Sequence, residues 1–211
     1  TLLRPQAPAG YEFGGWYENA ELTGTSYEAG GTFTNNDKSL VDLYAKWNPV
    51  EYTITYNLNG GSMSGQRTTY NIESLSFVLQ TPSREGYEFV GWTGSNGSTA
   101  QTNVTIAQGS TGNKSYTANW SPITYTITYN LDGGSMSGQR TSYTAETASF
   151  KLPTPTKNGY TFEGWVGSNG WTPQTSVTVN KGTTGNLSYT ARWNPIDYTI
   201  TYNLNGGSMS G

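Results

Sequence analysis

Glu51-Tyr52-Thr53-Ile54-Thr55-Tyr56-Asn57-Leu58 runs directly into Asn59-Gly60-Gly61, and the reading of this stretch decides the fold. Tyr52, Ile54, Tyr56 and Leu58 fall on one face, and Thr53, Thr55 and Asn57 on the other. That is the period-two pattern of a strand with one wet side. The Asn-Gly-Gly that follows supplies the positive φ of a tight turn. At an interval of 73 residues the strand recurs as Tyr125, Ile127, Tyr129 and Leu131, with Asp132 in place of Asn59. It begins again at Tyr198, and Trp47, Trp120 and Trp193 keep the same interval. Residues 50–122 and 123–195 are identical at 47 of 73 positions. A period of this length marks a tandem array of modules. The expected organisation is residues 1–49 as the C-terminal part of a module, 50–122 and 123–195 as full modules, and 196–211 as the opening strand and turn of another.

Outward from the strand, each module carries a second diagnostic block. Gly86-Tyr87-Glu88-Phe89-Val90-Gly91-Trp92 has counterparts at Gly10 to Trp16 and Gly159 to Trp165. Positions 88 and 90 vary between copies and are expected to face water, whereas Tyr87 and Phe89 keep their identity and are expected to face the core. Strict alternation would place Trp92 on the wet side, so Gly91 is expected to form a bulge that turns the indole inward. Phe77 and Leu79 predict a short strand stopped by Pro82. Val104 and Ile106 predict another, and Tyr116, Ala118 and Trp120 the last. Between Tyr70 and Ser74 the sequence permits one helical turn capped by Asn71 or Ser74, or an irregular turn. The fold class is mainly β, α+β at most. Junctions as short as Ser121-Pro122-Ile123 leave little room for a hinge, which predicts an elongated, semi-rigid rod.

Composition narrows the function. The chain has 11 Lys and Arg against 14 Asp and Glu, a net charge of −3 with no basic run, which gives nucleic acid nothing to bind. No apolar stretch approaches the length of a membrane span, so no membrane insertion is expected of these residues. There is no His and no Cys, which removes the commonest general base, most zinc sites and thiol chemistry. Of the acidic residues, Glu51, Glu85 and Glu88 become Thr124, Asn158 and Thr161 in the next copy. Only Glu73, matched by Glu146, persists between the full modules, in a position suited to capping. No catalytic residue, cofactor or metal site is expected; at Asn57-Leu58-Asn59-Gly60-Gly61 the oxygens are too few for calcium, and the turn reading prevails.

The strand ending in Asn-Gly-Gly, the Gly-Tyr-x-Phe-x-Gly-Trp block and the closing Leu43-Tyr44-Ala45-Lys46-Trp47 together resemble the internalin-type B repeat family, also called the Listeria–Bacteroides repeat. The resemblance covers essentially the whole chain. It implies small β-grasp-like, ubiquitin-like modules strung in tandem in secreted or wall-anchored bacterial surface proteins, as stalk segments that sometimes contribute to host contact. It carries no catalytic motif.

One aromatic residue falls outside the repeat logic. Trp171 stands where the previous copy has Ser98, within a Gly-Ser-Asn-Gly-x-Thr loop, so no module requires it for its core. Packing over its own or the neighbouring module is its first reading, and contact with a ligand its second. The expected function is a non-catalytic extracellular stalk or spacer in an adhesin-like protein. The alternative is a multivalent module contacting a glycan or host surface protein. Neighbouring repeats of the same chain are the expected partners. The alternating strand at Tyr198–Leu204 adds a further expectation, that residues 196–211 complete residues 1–49 of another copy, head to tail.

Overall fold

The computed structural model describes residues 1–34 and 40–211 and is all-β, with no helix among the described residues. The chain divides into two compact units, Thr1–Ser121 and Pro122–Gly211.

The first unit opens with β1 (Tyr11–Tyr17) and β2 (Tyr44–Pro49), an antiparallel pair. Seven strands follow. They are β3 (Tyr52–Asn57), β4 (Thr69–Tyr70), β5 (Phe77–Val78), β6 (Tyr87–Gly94), β7 (Gly97–Gln101), β8 (Thr105–Ile106) and β9 (Lys114–Pro122). Five make one sheet in the order β4-β3-β9-β6-β7, while β5 and β8 pair separately. The alternation of Tyr52 to Leu58 therefore belongs to an inner strand. One neighbour is antiparallel, with Tyr52 opposite Tyr70, and the other is parallel, with Ile54 opposite Lys114 and Tyr56 opposite Tyr116.

The second unit repeats this arrangement with β10 (Tyr125–Asn130), β11 (Ser142–Tyr143), β12 (Phe150–Lys151), β13 (Tyr160–Gly167), β14 (Gly170–Gln174), β15 (Thr178–Val179) and β16 (Leu187–Pro195). Its sheets are β11-β10-β16-β13-β14 and β12-β15.

Each full module closes around a tryptophan. Trp92 is completely buried among Ile54, Tyr70, Leu79, Val104, Ile106, Tyr116 and Ala118. Trp165 occupies the same place among Ile127, Tyr143, Leu152, Val177, Val179, Tyr189 and Ala191. Rings meet at their edges or tilted: Trp92 lies 5.4 Å from Phe89 and 5.6 Å from Tyr56, and Phe89 lies 5.4 Å from Trp120. Aromatic pairs in this geometry contribute beyond the area they bury.

The bulge expected before the tryptophan is present. The register slips between Phe13 and Trp16 in β1 and between Phe162 and Gly164 in β13. Gly91 sits at φ +141° and Gly164 at +150°, conformations that an L side chain resists. The extra residue rotates the following indole from the wet face to the core.

The Asn-Gly turns also read as expected, with φ of +52° at Asn59 and +85° at Gly60. The second glycine has a separate reason to be there: a Cβ on Gly61 would overlap Trp120, whose indole N–H donates to the Leu58 carbonyl at 2.9 Å.

One open alternative closes and one expectation changes. Residues 71–74 close a single hydrogen-bonded turn: Asn71 Oδ1 accepts the backbone N–H groups of Glu73 and Ser74, both at 3.1 Å, as an N-cap would, but no further turn follows and no helix forms. The Gly-Ser-Asn-Gly-x-Thr segments are tight hairpins and not open loops: Ser95-Asn96 and Ser168-Asn169 make the turns, and Gly97–Gln101 and Gly170–Gln174 are strands that fold back on β6 and β13.

Candidate functional site

Two places bear on function: the joint between consecutive copies, visible within the first unit, and the outer strand β14 with Trp171. At the joint, only Val50 and Glu51 separate β2 from β3, and their groups are engaged. The Val50 N–H donates to the Gly10 carbonyl at 2.9 Å, and Asn71 Nδ2 donates to Glu51 Oε1 at 3.0 Å. The Gly10-Tyr11 corner of copy one rests on the 71–74 turn of copy two. A Cβ on Gly10 would stand 2.6 Å from Ile72 Cδ1 and 3.1 Å from Thr111 Cγ2, so only glycine admits this approach. The Tyr11 hydroxyl donates to Glu73 Oε1 at 3.1 Å. That bond, with desolvation and the Glu73 charge adding to it, raises the Tyr11 phenol above its ordinary value.

Glu73 thus has a role that sequence reasoning missed. Its position suited a cap, but the capping oxygen is that of Asn71, and the Glu73 carboxylate is aimed at the preceding copy. The signal available in the sequence was its persistence as Glu146 when other acidic positions drift. What sequence could not supply was the partner, 62 residues away and in another copy. At the far end of the second unit the Ile196 N–H donates to the Gly159 carbonyl at 2.9 Å, the counterpart of the bond from Val50 to Gly10.

Trp171 is the second place. It lies on β14, an outer strand of its sheet, and is 88% exposed. The expectation that it packs over its module is therefore overturned within its own unit: the hairpin presents the indole to solvent. Thr172 flanks it, and Pro173 stands where the previous copy has Ala100. A proline removes one N–H from a strand whose outer side is otherwise open to pairing. The exposed indole face is suited to stacking on an apolar or sugar surface.

The Asn-rich turns do not gather as an ion site. Asn57 Oδ1 accepts the Asn59 N–H and Asn130 Oδ1 accepts the Asp132 N–H, both at 3.1 Å, so these oxygens shape the turn. Lys157 Nζ donates to the Asp132 carbonyl at 2.7 Å and stands 4.0 Å from its carboxylate. Among the described residues no group of three or more His, Cys, Asp or Glu side chains converges as metal ligands would.

Residues 1–46, 52–119 and 125–190 each match the Listeria-Bacteroides repeat domain. Three similar proteins frame that match. A candidate Gly-rich membrane protein of Evansella cellulosilytica is 27% identical over 95% of this chain and 23% of its own length. A candidate membrane protein of the same organism is 32% identical over 95% of this chain and 29% of its own length. Internalin H of Listeria monocytogenes is 26% identical over 92% of this chain and 36% of its own length. The chain thus spans about a third or less of the length of the first two relatives. No solved structure gives a significant match.

Proposed function

This chain belongs to the Listeria-Bacteroides repeat domain family, and on that premise we propose that it is a non-catalytic stalk or spacer segment of an adhesin-like protein at the bacterial surface. The observation that carries this reading is the joint. Copy one is tied to copy two by a backbone bond, a tyrosine–glutamate bond and a glycine contact that leaves no slack. Modules joined through such contacts, and not through a flexible linker, transmit length. Internalin H by its name, and the two candidate membrane proteins by theirs, support a surface-associated, extracellular location. Parallel pairing of a module's first and last strands, β3 with β9, supports the β-grasp-like reading.

Small-angle scattering from the chain tests the proposal. An elongated particle is expected, and a compact one overturns the rod. Tyr11→Phe and Glu73→Gln should broaden the inter-copy distance measured between spin labels on copies one and two while leaving the melting of copy two unchanged. An unchanged distance distribution would remove the joint from the argument.

The second reading is a binding module that contacts a glycan or a host surface protein, and Trp171 favours it. A fully presented indole on an outer strand serves no packing purpose in its own unit.

A further inference from the structure

The longest uninterrupted identity between the two full modules is not a strand. It is Gly60–Thr68, repeated residue for residue as Gly133–Thr141, and its first six residues return at 206–211. The fold explains some of it. Gly60 and Gly61 make the turn under Trp120, Met63 packs against the core, and the Arg67 guanidinium lies 4.4 Å from the centre of the Phe77 ring. It does not explain Ser64 or Ser137. Both are exposed, and neither makes a hydrogen bond in the described structure.

These serines line the same cleft in both modules. In the first, Ser62, Met63 and Ser64 face Gln80, Thr81 and Ser83 across a space of about 580 Å³. In the second, Ser135, Met136 and Ser137 face Thr154 and Thr156 across about 280 Å³. One end of each cleft is pinned. Ser62 and Ser83 exchange both backbone bonds, at 2.7 and 2.9 Å, as Ser135 and Thr156 do at 2.7 and 2.8 Å. Their hydroxyls also meet, at 3.3 and 3.2 Å. Beyond the pin the two segments part, leaving Ser64 and Thr81 in the first module, and Ser137 and Thr154 in the second, as hydroxyls on opposite lips. A methionine that reaches the core lies between them. The clefts differ at two positions, Ser83 becoming Thr156 and Gln80 giving way to Pro153, and the second is the smaller.

We propose that each cleft is a weak site for a neutral carbohydrate, repeated once per module. No charged side chain lines either cleft, which disfavours phosphorylated, sulfated or carboxylated ligands. Hydroxyl lips over a thioether floor match a sugar, whose hydroxyl rim surrounds an apolar C–H face. An extended peptide would instead need charged or apolar pockets for its side chains, and one methionine offers little. Open, polar clefts bind weakly, and repetition along the chain converts weak contacts into avidity. The proposal rests on neither the stalk reading nor Trp171.

The test displays the whole chain in many copies on a bead and probes it with an array of neutral and anionic glycans. Binding to one or more neutral glycans is expected. It should fall by about tenfold or more in the double variant Ser64→Val/Ser137→Val, because losing both sites removes the avidity along with the contacts. A second double variant, Thr81→Val/Thr154→Val, should lose binding from the opposite lip. All four positions are exposed, so the melting temperature should not move, which separates lost binding from lost fold. Three results overturn the proposal: no neutral glycan bound, binding confined to anionic glycans or to protein, or binding kept in both double variants and abolished by Trp171→Ala. None of them touches the stalk reading, which scattering tests on its own.

Discussion

Replacing Gly91 with alanine puts the fold's central device under direct test. Gly91 sits at φ +141°, and a Cβ there would lie 2.6 Å from the Gln101 nitrogen, 2.7 Å from its carbonyl carbon and 2.9 Å from the carbonyl carbon of Ala100. All three are backbone atoms, so nothing can swing aside, and β7 must move off β6. Gly97 supplies the control. It has φ +106° but nothing within 4 Å of its would-be Cβ. Gly97→Ala therefore carries backbone strain alone, about 1–3 kcal/mol. Gly91→Ala adds the overpacking, another ~1–3 kcal/mol, for about 4 kcal/mol in the middle of the range.

A module of this size holds only about 4–11 kcal/mol of stability in all. At roughly 4–8 °C per kcal/mol for a domain this small, Gly91→Ala should lower the transition of its module by about 15–30 °C, and Gly97→Ala by about half as much. Scanning calorimetry on the whole chain reads this directly, because the second unit serves as an unshifted internal reference. Near-ultraviolet circular dichroism should lose signal in the same step, since Trp92 is the buried chromophore that the bulge positions. Equal shifts for the two substitutions would refute the claim that the bulge glycine is required by close backbone approach.

Three further outcomes follow from other parts of the molecule. Trp171→Ala should leave stability within about 0.5 kcal/mol, because the side chain is 88% exposed; a clear drop in melting temperature would show that the indole packs on something after all. Burial, with a neighbouring phenol adding to it, raises Tyr70, Tyr116, Tyr143 and Tyr189 above the ordinary 10.0. The folded state therefore holds these protons more tightly than the unfolded chain, so their contribution is intact below that value and is lost as pH climbs through the raised values. In an alkaline titration the last part of the phenolate absorbance, that of these buried tyrosines, should then rise only together with unfolding, and ionisation of all 16 tyrosines with the fold intact would refute this. Tyr198, Ile200 and Tyr202 keep the alternation of β3 yet are about two-thirds exposed or more and belong to no strand. We propose that in the 211-residue polypeptide this segment pairs beside β2 of a second copy, as β3 does beside β9. Sedimentation should show association that Ile200→Asp abolishes, and a monomer at every concentration would sink the idea.

What could be read from sequence divides by range. The strand at 52–57, the Asn-Gly turn and the inward rotation of Trp92 are all local, set by alternation and by glycine, and one copy checked against another exposed them. The hairpin strand at 97–101 escaped notice because Gly-Ser-Thr-Ala-Gln has no apolar alternation; it is a strand only because β6 lies beside it. Trp171 was misplaced for the same reason, since a residue read on a loop can fold inward, whereas one on the outer face of a hairpin is held out. The partner of Glu73 lay in another copy, beyond the reach of any window of spacing. The cleft at Ser64 was hidden in plain composition. Identical serines in a serine-rich chain carry no signal until the structure shows that the fold does not need them.

The parallel pairing of β3 with β9 has a mechanical consequence. β3 begins where the chain enters the module and β9 ends where it leaves, so tension along the array pulls the two strands past each other lengthwise. The pairs from Ile54–Lys114 to Asn57–Thr117 then share the load and must fail together, unlike a hairpin pulled open one bond at a time. A segment under drag would thus resist extension at a seam whose pairs carry the load together. Single-molecule pulling should show tall, evenly spaced rupture peaks, one for each full module; low, ragged peaks would mean that the seam does not bear the load.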